Sequence, residues 1–182
     1  MTAMLSESFT APTDMKKTSV FDVALVGIMV AVIEVCKVAM MELPNIELTS
    51  FWLLMFSKHF GRKVYFVVPV FILIEGAIFG FGDWWVMYLY AWPLLVLVAR
   101  FFRKSDEALT WAIISGIFGL SFGFLCALSK ILFLGSAEAA FAWWIAGIPW
   151  DFVHAGANFV LMLLLYKPMS KAMIRAKKTV TQ

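Results

Sequence analysis

The stretch FAWWIAGIPWDFVHAGANFVLMLLLY, residues 141–166, decides the class of fold. It is apolar for longer than the about 20 residues a helix needs to cross the hydrocarbon of a bilayer. Yet its middle carries Asp151, His154 and Asn158. Their spacing of i, i+3, i+7 puts all three on one face of a helix. Trp144 and Gly147 continue that stripe, and Pro149 removes a backbone donor just above it and is expected to kink the helix. A polar stripe inside an apolar helix implies either a wet cavity or a hydrogen-bonded contact with another helix.

The rest of the chain repeats the pattern. Of its 182 residues 63% are hydrophobic, against roughly half in a soluble domain. The expected fold is an all-α membrane protein, a six-transmembrane-helix bundle with both termini cytoplasmic. The spans run about Val20 to Met41, Ile46 to Ser57, Val64 to Phe81, Trp84 to Phe101, Leu109 to Leu134 and Ala140 to Tyr166. The second is short for ~30 Å of hydrocarbon, so five spans plus a re-entrant piece is the alternative. Residues 1–18 read as a cytoplasmic tail or short surface helix without a secretory signal. Residues 19–168 form the transmembrane domain, and 169–182 a basic cytoplasmic tail.

Charge sets the orientation. Lys16 and Lys17, then Lys58, Arg62 and Lys63, then Arg100, Arg103 and Lys104, and finally Lys167, Lys171, Arg175, Lys177 and Lys178 fall on alternate connections. The connections around LPNIE, FGD and GSAEAA hold no Lys or Arg. Thirteen of the fifteen basic residues therefore lie on one side, as the positive-inside rule requires. Lys37 and Lys130 are inside spans, as are Glu34, Glu75 and Asp151, and all five lie in the outer half. Seven of the eight tryptophans, all but Trp111, are on that half too. An aromatic belt has two rims, and here one side is rich. Charges in hydrocarbon cost several kcal/mol unless paired or wetted, so a polar outer cavity is expected. Glu34 and Lys37 are spaced to neutralise each other; Glu75 and Lys130 are left to pair with one another or with Asp151. The segment LPNIELTSFW reads as a lid over the cavity or as an ordinary polar turn.

Other features are structural or weak. Gly116, Gly119, Gly123 and Ala127 make a smooth stripe for close helix approach, and Ala24, Gly27 and Ala31 make another on the first span, for internal packing or for a second membrane subunit. Cys36 and Cys126 read as small buried hydrophobes. GLSFG, residues 119–123, matches G-x-S-x-G, which with His154 suggests an intramembrane serine hydrolase; the strand-to-helix elbow such a nucleophile needs is missing from an apolar helix. No nucleotide-binding or zinc-protease motif occurs, so uphill transport needs an ion gradient or a partner.

Three stretches, LPNIELTSFWLL (43–54), FGRKVYFVVPVFILIEGAIFGFGDWWVMYLYAWPLLV (60–96) and WWIAGIPWDFVHAGANFVLMLLLYKP (143–168), resemble the substrate-binding S components of energy-coupling factor (ECF) vitamin transporters, in particular the group assigned to cobalamin. The resemblance implies a non-enzymatic subunit of the bacterial plasma membrane that binds a vitamin from outside. It implies a transmembrane coupling subunit and two ABC ATPases as partners, the bilayer as surroundings, no nucleic acid, and toppling as the delivery step. Cobalamin would be the transported ligand, with no intrinsic cofactor or metal. The family's Ala-x-x-x-Ala docking motif falls on Gly27 and Ala31. Its ligand positions fall on Asn45, Glu47, Trp84, Trp85, Tyr88, Trp92, Lys130, Trp144, Asp151 and His154. So aromatic a lining suits a bulky, nearly neutral ring system, and a smaller aromatic vitamin such as riboflavin or a pterin suits it too; a pantothenate-class vitamin is a further alternative. A proton-coupled carrier using Asp151, Glu75 and Lys130 is the reading from another class.

Overall fold

The computed structural model describes residues 19–180, so the N-terminal tail expected over 1–18 lies outside the described residues. The described chain is helical: α1 (Val20–Ala39), α2 (Thr49–Phe60), a 3-10 turn (Gly61–Lys63), α3 (Val64–Phe79), α4 (Asp83–Phe102), α5 (Ala108–Leu134) and α6 (Ala137–Val180). α1 starts at a capping box: the Ser19 hydroxyl accepts from Asp22 N–H at 3.1 Å while the Asp22 carboxylate accepts from Ser19 N–H at 3.2 Å. The reversal from α2 to α3 runs through Gly61 at φ 59, a left-handed position that glycine takes without steric cost.

Three of the helices, Asp83–Phe102, Ala108–Leu134 and Ala137–Lys178, are long and apolar enough to cross a membrane. At most a third of each is buried within the protein, so their apolar surface points outward. The other three miss that standard for separate reasons. α1 has the length but carries Asp22, Glu34 and Lys37. α3 has 16 residues and α2 has 12, or about 24 Å and 18 Å of rise.

α2, the short second segment, is the centre of the molecule. Eight of its twelve residues are buried. α1, α3, α4, α5 and α6 follow one another as packed neighbours, and each also touches α2. Of residues 49–57 only Trp52 is more than slightly exposed, so this stretch is enclosed on nearly every side. It runs past Ser57, where the sequence reading ends it, to Phe60.

α6 departs further from expectation. It does not stop near Tyr166 but continues through Pro168 to Val180, so residues 169–180 are helix rather than a separate tail. At 44 residues it is about 66 Å long, twice what hydrocarbon requires. Its last turns reach back to α2: Ser170 Oγ lies 3.0 Å from His59 Nε2, and Lys177 Nζ donates to the His59 carbonyl at 3.4 Å.

The expected charge asymmetry has a structural counterpart. Lys63 pairs with Asp22 at 2.5 Å, and Lys58 with Asp106 at 2.8 Å and with the Ser105 carbonyl at 2.5 Å. The basic connections therefore share one end of the bundle with the start of α1 and the end of α6. Trp111 belongs to this end, donating to the Ser105 carbonyl at 3.0 Å beneath the Lys58 ammonium.

This end gives a pH prediction. The Lys58 ammonium holds the Asp106 carboxyl below its usual range. A carboxylate depressed by folding contributes stability above its unfolded pKa, about 3.9, and loses it as pH falls through the lower folded value. The melting temperature should therefore fall on acidification below about pH 4, and Asp106→Asn should flatten that acid limb, as read by thermal melts at a series of pH values.

Candidate functional site

The opposite end gathers the polar residues of the apolar helices, in pairs that spacing did not reveal. Lys37 bonds Glu75 of α3, not Glu34 one turn away on its own helix. Glu75 is fully buried, whereas both carboxylate oxygens of Glu34 are buried without a hydrogen bond. Lys130 of α5 bonds Asp83, in the first turn of α4, and lies 5.0 Å from the centroid of the Trp143 ring. Asp83 was missed in the sequence because FGD reads as a connection; its signal is an acid at a helix start, where the N-terminal dipole favours it. Asp151 Oδ1 accepts the Gly123 N–H at 2.9 Å. Glu75, Lys130 and Asp151, which a proton relay needs in one series, are thus each tied to a different partner.

Asp151, His154 and Asn158 do share one buried face of α6, as their spacing predicts. Much of that face meets the glycine stripe of α5. A Cβ at Gly119 would lie 2.9 Å from the backbone of His154 and Ala155, and one at Gly123 would lie inside the Asp151 carboxylate. Backbone contact between α5 and α6 at Gly119 is therefore possible only because that position carries no side chain, and at Gly123 the same space is taken by the Asp151 side chain.

The remaining predicted residues divide. Trp84, Tyr88 and Trp92 follow i, i+4, i+8 and form one aromatic column on the inner side of α4, with successive ring centroids 5.1 and 5.2 Å apart. The column continues from Trp92 to Phe122 of α5 at 5.7 Å and from Phe122 to the His154 ring at 4.8 Å. Phe122 was not picked out from the sequence; it is one residue from the glycine stripe and indistinguishable there from a lipid-facing aromatic. At its outer end the column meets Lys37, whose ammonium is 5.8 and 5.6 Å from the Trp84 and Tyr88 ring centroids.

Trp85 is on the other side. Offset by about 100° from Trp84, it packs on Phe81 and donates to the Ile72 carbonyl at 2.8 Å. Trp144 stacks edge-on against Phe124 and Phe141 rather than joining the column.

The connection between α1 and α2 lies against the inner end of the column. Glu47 Oε1 is 3.3 Å from His154 Nε2, and its second oxygen accepts the Ser50 N–H at 2.8 Å, in the first turn of α2. Asn45 takes φ 58, a left-handed conformation that asparagine tolerates better than most residues. Asn45, Glu47 and Lys37 line a cavity of about 320 Å³ with Pro44, Phe79 and apolar side chains of the connection. The expected hollow leading past His154 toward the midplane is otherwise closed: Trp92 and His154 are each 2% exposed and the column packs on itself. Buried polar atoms without partners nonetheless mark its walls: Trp92 Nε1, His154 Nδ1, Asn158 Nδ2, Ser50 Oγ and one oxygen of Glu75. Leaving such groups unpaired costs about 1–3 kcal/mol each, so these atoms favour a polar guest.

If Glu47 holds the connection down, removing its carboxylate should free it. In Glu47→Gln and His154→Ala, a cysteine placed at Asn45 should react with a water-soluble maleimide several-fold faster than in the parent. Unchanged rates would mean the connection is held by its other contacts.

Three further expectations meet geometry here. Ser121 Oγ donates to the Ile117 carbonyl at 2.8 Å and does not bond His154, so the nucleophile–base contact of a hydrolase is not made. Cys36 and Cys126 are half-buried rather than core, and Cys36 Sγ accepts the Trp52 indole N–H at 3.1 Å. Ala24, Gly27 and Ala31 are exposed on α1, and a Cβ at Gly27 would meet nothing within 4 Å, whereas α1 buries Met29, Val30 and Ile33 inward. In comparisons with known proteins, no family model, no curated protein and no solved structure matches the chain.

Proposed function

We propose that the chain is a six-span membrane protein with both termini on the cytoplasmic side, and that it is the vitamin-binding S component of an ECF-type importer. The observation that carries this reading is the aromatic column running from Lys37 to His154, roofed by the α1–α2 connection through Glu47. It offers ring faces for a largely neutral ring system and unpaired buried donors and acceptors for that ring's edge groups. The basic end lies opposite, which fits a site opening outward under the positive-inside rule.

Access requires the roof to lift. In the conformation described, the mouth cavity of about 320 Å³ lies near the small end of ligand pockets, roughly 300–1,000 Å³. A flat vitamin of the riboflavin or pterin class needs less opening than the cobalamin expected from the resemblance, for which α1 and the connection would have to move well apart. The exposed Ala24–Gly27–Ala31 face supports docking on a membrane coupling subunit, since small residues let a second helix approach closely. ATP hydrolysis would belong to that partner's ATPases.

The test is to purify the full chain from cells grown in rich medium and identify what it carries by absorbance and mass spectrometry. A stoichiometric flavin or pterin is the expected result, and a corrinoid spectrum would restore the sequence expectation. Uptake that depends on ATP and on co-purifying membrane and ATPase subunits supports the S-component reading. Uptake by the chain alone that collapses with an uncoupler would replace it with a proton-coupled carrier.

A further inference from the structure

α3 and α4 carry a groove on their outer surface that the ligand site does not use. Tyr65, Val68, Pro69, Ile72 and Leu73 follow helical spacing on α3, and Trp85, Leu89, Pro93 and Val96 do so on α4; together they line a cavity of about 360 Å³. The two prolines explain the indentation. Each lacks an N–H, so the carbonyls four residues earlier, on Tyr65 and Leu89, lose their helical partners at the groove itself. Trp85 and Val96 stand eleven positions apart, a rise of about 16 Å, close to one leaflet's share of a ~30 Å hydrocarbon core.

At the basic end the groove meets a second cavity, about 170 Å³, lined by Ser57, Gly61, Arg62, Val64, Arg100 and Arg103 and sharing Tyr65 and Val96 with the first. The three arginines are exposed, and none forms an ion pair with a carboxylate among the described residues. Guanidinium groups are suited to bidentate recognition of phosphate oxygens. An apolar channel of one leaflet's depth ending in three unpaired arginines matches one occupant in both charge and length. We propose that the α3–α4 groove binds an anionic membrane phospholipid, its phosphate on Arg62, Arg100 and Arg103 and one acyl chain along Pro69, Leu89 and Pro93.

The full chain, reconstituted in vesicles of equal phosphatidylglycerol and phosphatidylcholine and extracted in mild detergent, should co-purify with phosphatidylglycerol enriched. Each basic residue at an anionic surface is worth about a factor of five, so R62Q/R100Q/R103Q should cut the enrichment by more than tenfold, to about the vesicle ratio. Leu89→Trp, which fills the groove and leaves the arginines in place, should abolish it too, and it decides the matter alone if the triple variant does not fold. K167Q/K171Q, which removes basic residues outside the pocket, should keep it. Enrichment that survives in Leu89→Trp, falls equally in K167Q/K171Q, or is displaced by excess inorganic phosphate would overturn the proposal, because charge alone would then account for it.

Discussion

Glu75→Ala is expected to lower stability by about 3–5 kcal/mol, the cost of stranding one member of a buried ion pair. Glu75 is fully buried on α3 and its carboxylate holds Lys37, which arrives from α1 with only part of its side chain exposed. Removing the acid leaves the ammonium among the ring faces of Phe79, Trp84 and Tyr88, with Glu34 one turn away but not hydrogen-bonded to it, and these compensate only in part. Lys37→Met should cost a comparable amount by stranding the acid. The double variant K37M/E75M should be distinctly more stable than the sum of the singles predicts, since two apolar groups need no partner. Unfolding in mixed micelles, followed by tryptophan fluorescence, reads the cycle. Strict additivity would mean that the two side chains are independently solvated.

Gly119→Val carries the second large effect. Its Cβ would lie 2.9 Å from the backbone of His154 and Ala155, atoms that cannot rotate away as a side chain does. α5 and α6 must then separate along the face that bears Asp151 and His154. Overpacking of this kind costs typically about 1–3 kcal/mol and occasionally more. The Glu47–His154 contact should loosen with it, so ligand binding should fall more steeply than stability. Gly147→Ala and Gly156→Ala, where an added Cβ meets nothing within 4 Å, should be neutral or stabilising by up to about 1 kcal/mol, through helix propensity. Equal losses at all three glycines would show that the stripe acts through backbone flexibility rather than contact.

Periodic features were legible in advance. The glycine stripe on α5 and the polar stripe on α6 were both visible, and the structure presses them together. The helix starts and ends were mostly found to within a few residues, because apolar runs are bounded by Gly, Pro and charge. α6 is the exception: the apolar run ends near Tyr166, but the polar residues beyond it are good helix formers. The six-residue set that builds the site was only partly legible. Trp84, Tyr88, Trp92, Glu47 and His154 were named and are joined, Phe122 was not, and Trp85 was named but lines the groove between α3 and α4.

The amino-acid order alone determined that the chain is helical, that its basic residues fall on alternate connections, and which residues share a helix face, because these follow from hydropathy and from a fixed rotation of about 100° per residue. Only the tertiary structure decided that Lys37 turns to Glu75 instead of Glu34, that Lys130 finds Asp83, and that the shortest helix stands at the centre. Those outcomes depend on which helices become neighbours. A buried charge takes the best partner that packing delivers, and separation along the chain carries almost no information about it.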